Sequence, residues 1–453
     1  SPPPKLLVLS SIWPEPTSSA AGLRDYNLVR SFQSRGWAVH YAAESKLNEH
    51  SATLNRFGVQ TTVRPANDSS FDRWVAEERP DVVIFDTFVT EERFGSRVAE
   101  RVPWALRVLD TQDLHFLRCH RQRAVERLLV ARAGGDPDDP VLALSSRPGR
   151  SSRSPEERYA AALTESLRGG SPVRPDEDPV IRELAAIYRS DLTLIISDHE
   201  LSLLSTPPFS LPPALLHLSR FQYPPLQTAA AAPFQNREHF CMIGNFRHAP
   251  NMDAVRWMKE ALWAPIRARL PRARLHVFGS YPPREAMALS APEDGFIVKG
   301  PVKDHFKMLR KHRVNLAPLR FGAGIKGKIS DGWWSGTPVV TTPVGAEGMH
   351  GGELFGGIVA DSAEGLVDAA VRLYSDEEQW RTAHALGARL MDRLYSEQAN
   401  SEALVERILR ARRDIEANRR SNVVGSMLWY NLHRSTKYFS QWIEAKNASR
   451  GSK

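Results

Sequence analysis

Short apolar runs alternate with helical stretches along almost the whole chain, and the alternation runs through twice. In the first half, strand-like runs fall at 5–10, 38–42, 61–63, 81–86 and 105–110, then at 192–197 and 214–217. Helical stretches at 22–35, 71–78 and 95–101 lie between them, and Leu23, Tyr26, Leu28 and Val29 share one broad face of the first. In the second half, runs at 239–243, 274–278, 296–299, 314–317, 338–342 and 358–360 are separated by helices, notably 252–270 and 327–334. Two more helices follow, one at 363–374 and one opened by a capping box at 375–378. Strands that alternate with helices build a parallel sheet covered on both faces, an α/β, doubly wound arrangement. Two such domains joined by a hinge leave a cleft at the carboxyl ends of their strands, where ligands bind. The 453 residues suffice for two domains with a core each. The expected division is 1–225, an Ala-rich linker at 226–235, 236–405, and a basic, aromatic helical segment at 406–453.

Composition narrows the setting. The hydrophobic fraction of 42% is that of a globular chain, and no apolar run reaches the roughly 18 residues of a membrane helix. Ser1-Pro2-Pro3-Pro4-Lys5 leads straight into a strand and lacks the apolar stretch of a signal peptide. Cys119 and Cys241 give neither metal spacing nor a disulfide framework, which fits a reducing, cytoplasmic compartment. The net charge of +8 suits phosphate-bearing or acidic partners. Residues 132–178 are rich in Arg, Ser, Gly, Pro and Asp, and read as a disordered insertion. The tail carries Arg412, Arg413, Arg419, Arg420, Arg434 and Lys437 beside Trp429, Tyr430, Tyr438, Phe439 and Trp442. Such interleaving occurs on nucleic-acid surfaces. The favoured reading is a helix that packs its aromatics across the domain junction.

The stretch 318–331 carries the clearest chemistry. It places Gly322, Ala323, Gly324, Ile325, Lys326, Gly327 and Lys328 between a strand and the start of a helix. Glycines let the backbone approach a diphosphate, and the N–H groups of a helix start point at it. Lys326 and Lys328 add positive charge, and Asp331, one turn into the helix, is placed to accept ribose hydroxyls.

Together with Ile243–Asn251 (Ile-Gly-Asn-Phe-Arg-His-Ala-Pro-Asn), 277–279, 298–302, 335–342 (Ser-Gly-Thr-Pro-Val-Val-Thr-Thr) and 345–348 (Gly-Ala-Glu-Gly), this loop resembles the retaining glycosyltransferases of GT-B fold. The likeness is to the GT4-type group, in a subgroup with a Gly-Ala-Gly-Ile-Lys donor loop. It implies two Rossmann-like domains facing across a cleft. It also implies that Gly244, Gly322, Gly324, Ile325, Lys326 and Lys328 line the donor diphosphate. Of two glutamates common in this family segment, the second matches Asp331 and the first falls on Ala323. Arg247 matches the arginine that neutralises the leaving diphosphate. The lysine that usually follows it is absent, Asn251 stands nearby, and Lys326 is expected to take over its charge.

The N-terminal domain is expected to hold the acceptor. Gly22 matches a glycine that approaches the sugar phosphate, and Asp110, Asp113 and His115 are placed to position an acceptor hydroxyl. Asp113 reads equally as a helix cap, as do Ser197 and Asp198. His276, His312, Trp333 and Trp334 read as structural. The implied reaction moves a sugar from a nucleoside-diphosphate sugar, UDP- or GDP-linked, to an acceptor hydroxyl with retention and without a metal. Beyond the donor no cofactor is expected, and the acceptor is open among glycan, small molecule, nucleic acid and protein. The rival readings are a nucleotide-sugar epimerase of the same architecture and a nucleic-acid-binding protein that uses the basic tail. A dehydrogenase is disfavoured, because no Gly-x-Gly-x-x-Gly follows the first strand.

Overall fold

Leu6, Leu7, Val8 and Leu9 are all buried, so the first strand is covered on both faces, as continuous apolar runs require. The structure is a computed structural model and describes residues 2–134, 154–170, 173–226 and 232–451. The first sheet contains β1 (Lys5–Ser10), β2 (Ala38–Ala43), β3 (Gln60–Val63), β4 (Val82–Asp86), β5 (Leu106–Asp110), β6 (Leu192–Ile195) and β7 (Leu216–Leu218), in the order β3-β2-β1-β4-β5-β6-β7. The second contains β8 (Glu238–Ile243), β9 (Leu275–Phe278), β10 (Phe296–Gly300), β11 (His312–Ala317), β12 (Val339–Thr341) and β13 (Gly357–Val359), in the order β10-β9-β8-β11-β12-β13. Neighbouring strands are parallel throughout; Leu6 lies opposite both Val39 and Val82, and Asn315 opposite both Cys241 and Val339. Strand order reverses between β1 and β4 and between β8 and β11, the two places where such sheets open a crevice.

Helices cover both faces, and several of them differ from the sequence expectation. Within 132–178, residues Pro155–Leu167 form a helix opened by a Ser154–Glu157 capping box. It buries Tyr159, Ala162, Leu163 and Leu167 against Leu128 and Ala131 and against the core of the second domain. The insertion is therefore partly ordered, because its alanine and leucine face finds cover that local composition does not reveal; residues 135–153 lie outside the described residues. The capping residue near 376 is Asp376, which accepts from Gln379 N, because the preceding helix runs through Ser375.

Among its described residues the tail packs on the first domain rather than across the junction. Tyr223 N donates to Tyr395 O (2.8 Å) and Glu397 N donates to Tyr223 O (2.8 Å), and there the chain crosses back to the first domain. Helix Glu397–Arg413 buries Leu404, Val405, Ile408 and Ala411 in the same core as Leu28 and Phe32. Arg419 then grips Asp191 (2.7 Å), and Trp429 Nε1 donates to Arg189 O (3.0 Å). Tyr430, Tyr438 and Trp442 stay exposed.

Candidate donor and acceptor cleft

Every segment that lines the large cavity between the sheets follows the carboxyl end of a strand. Residues 12–21 follow β1, Asp86 and Thr87 close β4, and Gln112 to Arg118 follow β5. From the other side come Gly244 to Asn251 after β8, Gly279 to Tyr281 after β9, Val302 and His305 after β10, and Leu319 to Asp331 after β11. The cavity holds about 520 Å³, within the range of small-molecule sites.

On the second-domain wall, Arg320 is clamped to Asp253 by two bonds (2.9 and 2.6 Å) and Thr342 Oγ1 donates to Leu319 O (2.5 Å), which fixes the start of the glycine-rich loop. The two lysines of that loop part company. Lys326 is buried, and its ammonium donates to the carbonyls of Gly324 (2.8 Å) and Glu347 (3.4 Å). Lys328 leans its ammonium on Asn251 Oδ1. Burial pushes both amines down to about 8, against the attraction of Glu347 for Lys326 and of Asp331 for Lys328. Asp331 accepts from Tyr223 Oη (2.6 Å) and has His305 Nε2 at 3.6 Å; burial raises its carboxyl. Arg247, at the rim, lies over the Tyr281 ring, 3.6 Å from its centroid.

The glycines divide between two tasks. Gly322 lines the cavity, and a side chain there would meet nothing closer than Lys326 Cε at 3.8 Å. Gly324 does not line it: its φ is +63° and an added Cβ would stand 2.8 Å from Asp113 Cβ. Its N–H donates to Glu200 Oε1 (2.9 Å), which also accepts from Leu114 N (2.8 Å), so this amide ties the two domains together rather than facing a phosphate. Gly22 is likewise displaced from the expected role. It sits inside helix Ala20–Gln33, where an added Cβ would reach 2.4 Å from Glu15 N, and its smallness lets the helix pass the preceding turn. Gly244 lines the cavity and leaves room for Asn251, whose Cγ would be 2.6 Å from an added Cβ. Ile325 and Ala323 line the cavity too, and Ala323 also packs into the apolar core of the first domain.

On the first-domain wall, Asp113 is not a helix cap. Helix His115–Gly134 has its first amides taken by buried Glu183 (from His115 N, 3.2 Å, and Phe116 N, 3.0 Å). The Asp113 carboxylate instead lies 3.3 Å from His115 Nε2 and 2.9 Å from Arg118 Nε. Burial holds the His115 imidazole below its ordinary pKa, against the pull of Asp113. Asp110 is buried in a two-pronged pair with Arg24 and does not line the cavity. Asp86 is fixed by Ser10 Oγ (2.5 Å) and Gln112 Nε2 (2.9 Å). Thr87 and Gln112, neighbours here, both hold positive φ (69° and 62°), the kind of backbone strain that collects at functional sites. Ser197, by contrast, is the cap of helix Asp198–Ser205.

Sequence reasoning passed over Glu200, Arg118, Tyr281 and the Arg121–Glu347 pair. Arg121 donates to both Glu347 oxygens (2.8 and 2.8 Å) and to Gly322 O (2.9 Å). Glu347 lies in the quoted Gly-Ala-Glu-Gly motif, Arg118 one helical turn from His115, and Glu200 in the same Ser-Asp-His-Glu turn as Ser197 and Asp198, so those three left a trace; Tyr281 left none.

Among the described residues no helix is long and apolar enough to cross a membrane, and no group of three or more His, Cys, Asp or Glu is placed to hold a metal. No curated protein matches the chain. Solved structures of similar fold include HepE from Anabaena with UDP and glucose (11% identity, 88% of this chain and 98% of that one, TM-score 0.58). Sucrose-phosphate synthase from Thermosynechococcus elongatus matches at 14% identity, over 89% and 98% of the two chains, with a TM-score of 0.57. A TarM variant from S. aureus, in complex with fondaparinux, α-GlcNAc-glycerol and UDP, matches at 8%, over 89% and 99%, with a TM-score of 0.61. The two doubly wound domains are thus a GT-B fold. Residues 237–376 match the family model described as glycosyl transferases group 1. Domain and fold together support a glycosyltransferase of GT-B fold.

Proposed function

We propose that the chain is a retaining, metal-independent GT4-type transferase that moves a hexose from a UDP- or GDP-sugar to an acceptor hydroxyl. The observation that carries this reading is that Arg247 and Lys328 line one wall of the inter-domain cavity, beside the glycine-rich loop and opposite Asp86, Asp113 and His115. The HepE and TarM complexes contain UDP, which favours a uridine nucleotide at the equivalent cleft.

In this reading the diphosphate lies against Gly322, Ile325 and the start of helix Gly327–Trp334, and Asp331 receives the ribose hydroxyls. As the glycosidic bond to the phosphate breaks, negative charge grows on the leaving oxygen. Cations already in place in a cleft shielded from water stabilise it best. Lys328, rather than Lys326, supplies the charge beside Arg247. Its ammonium reaches Asn251 across the cleft wall, whereas that of Lys326 is committed to two carbonyls. The acceptor hydroxyl forms the new bond on the face the phosphate leaves, and its proton passes to the departing phosphate oxygen. Asp113, His115 and Asp86 orient the acceptor.

Thermal unfolding in the presence of UDP-, GDP-, ADP- and dTDP-sugars tests this. A donor at 100 times its dissociation constant should add about 2.7 kcal/mol. One nucleotide class should raise the melting temperature of the wild type, with the rise lost in Lys328→Ala. A full set of donors without any shift would overturn the reading. Once an acceptor is found, the anomeric configuration of the product tests retention, and turnover in EDTA tests metal independence.

A further inference from the structure

The second-domain arginine and the first-domain turn meet through one side chain. The Tyr281 ring carries the Arg247 guanidinium on its face, 3.6 Å from the centroid, while its hydroxyl donates across the cleft to Glu15, 3.0 Å from Oε1 and 2.9 Å from Oε2. All three residues line the cavity.

We propose that Tyr281 is a positioning residue: its ring aims Arg247 into the cleft, and its bond to Glu15 makes that aim depend on closure of the two domains. The inference rests on the reading that Arg247 faces a donor diphosphate. Three features support it. Among the described residues no carboxylate pairs with Arg247, so the ring face is its anchor and its N–H edge is left for a ligand. A flat guanidinium on an aromatic face keeps its orientation without spending its hydrogen bonds. Both ends of the bridge are stiff. Ser18 N and Ser19 N donate to Glu15 O (3.0 and 3.1 Å), and Gly22 brings a helix against the Glu15 backbone. On the other side Gly279 N donates to Gly300 O (2.9 Å), Gly279 packs on Gly244 O, and Tyr281 itself holds φ +57°. His50 Nε2, 3.8 Å from Glu15 Oε1, is the other group at this carboxylate.

The ring and the hydroxyl can be removed separately. Calorimetric titration of the full chain with UDP, GDP and uridine is the test, using Tyr281→Phe, Glu15→Ala, the pair together and Tyr281→Ala, all checked for an unchanged melting curve. Tyr281→Phe and Glu15→Ala should each weaken nucleoside-diphosphate binding about three- to tenfold. The double variant should be no weaker than either alone, since both changes break the same bond. Tyr281→Ala should weaken it further. Uridine, which has no phosphate for Arg247, should bind all four variants as it binds wild type. Additive single effects, equal losses for uridine and UDP, or no loss would overturn the proposal. If the wild type binds neither UDP nor GDP, the transferase reading itself fails. The bridge is then still tested by hydrogen exchange without ligand: amides around Glu15 and Tyr281 should exchange faster in Tyr281→Phe than in wild type, and equal rates refute it.

Discussion

Lys326 and Lys328 stand two residues apart on one loop and meet different surroundings, a distinction no sequence pattern draws. Both amines are held down to about 8 by burial, so near pH 8 each is partly neutral. A diphosphate beside Lys328 favours its ammonium form. Binding should therefore take up protons around pH 8, and affinity for UDP should fall as pH rises through that value. Calorimetry in two buffers of different ionisation heat should show the uptake in wild type and a smaller uptake in Lys328→Met; proton release would contradict the assignment. The same depression acts on folding with a definite sign. Between about 8 and the ordinary 10.5 the unfolded chain holds more protons on these lysines, so their burial costs less as pH rises through that window. In catalysis, loss of one preplaced cation is expected to lower kcat roughly 100- to 1000-fold in Lys328→Ala. Lys326→Ala should act first on stability, because its ammonium holds two loop carbonyls together.

At the scale of elements, the strands were legible because buried parallel strands are unbroken apolar runs, and β1 and helix Gly327–Trp334 stand where the pattern puts them. Helix His115–Gly134 was legible only at its start, because Arg121 interrupts the buried face formed by Phe116, Leu117, Val125, Leu128 and Ala131. Arg121 is buried because Glu347, 226 residues away, and Gly322 O meet it. The glycine-rich loop was legible from its glycines, but the contact that Gly324 makes with the first domain was not, because Asp113 and Glu200 that meet it lie far away in the sequence. Gly324→Ala is accordingly expected to cost about 1–3 kcal/mol, from a strained φ and a 2.8 Å clash with Asp113 Cβ. Gly322→Ala, with its nearest neighbour at 3.8 Å, should leave the melting temperature nearly unchanged while it weakens donor binding. Equal destabilisation by the two substitutions would show that the loop is not pressed against the first domain at Gly324.

For the molecule as a whole, the chain leaves the first domain after Tyr223 and returns to it at Tyr395, and backbone bonds hold these two segments side by side. The return also means that the first domain is finished by residues from the far end of the sequence. Leu404, Val405 and Ile408 are buried beside Leu28 and Phe32. Burial of a large aliphatic side chain contributes about 1.5–3 kcal/mol, so these three supply roughly 5–9 kcal/mol as an upper bound. That is comparable with the roughly 5–15 kcal/mol net stability of an ordinary domain. A chain cut after residue 396 is therefore expected to lose cooperative unfolding of its first domain, or to aggregate. A chain cut after residue 422 keeps this core and the Arg419–Asp191 pair, and should melt as a folded protein. It lacks the Trp429 contacts, so a modest drop in melting temperature is expected. Calorimetric melting of the two truncations separates the cases. A fully folded chain ending at 396 would mean that the first sheet is stable without its returning helix, and that the tail is an accessory rather than part of the domain.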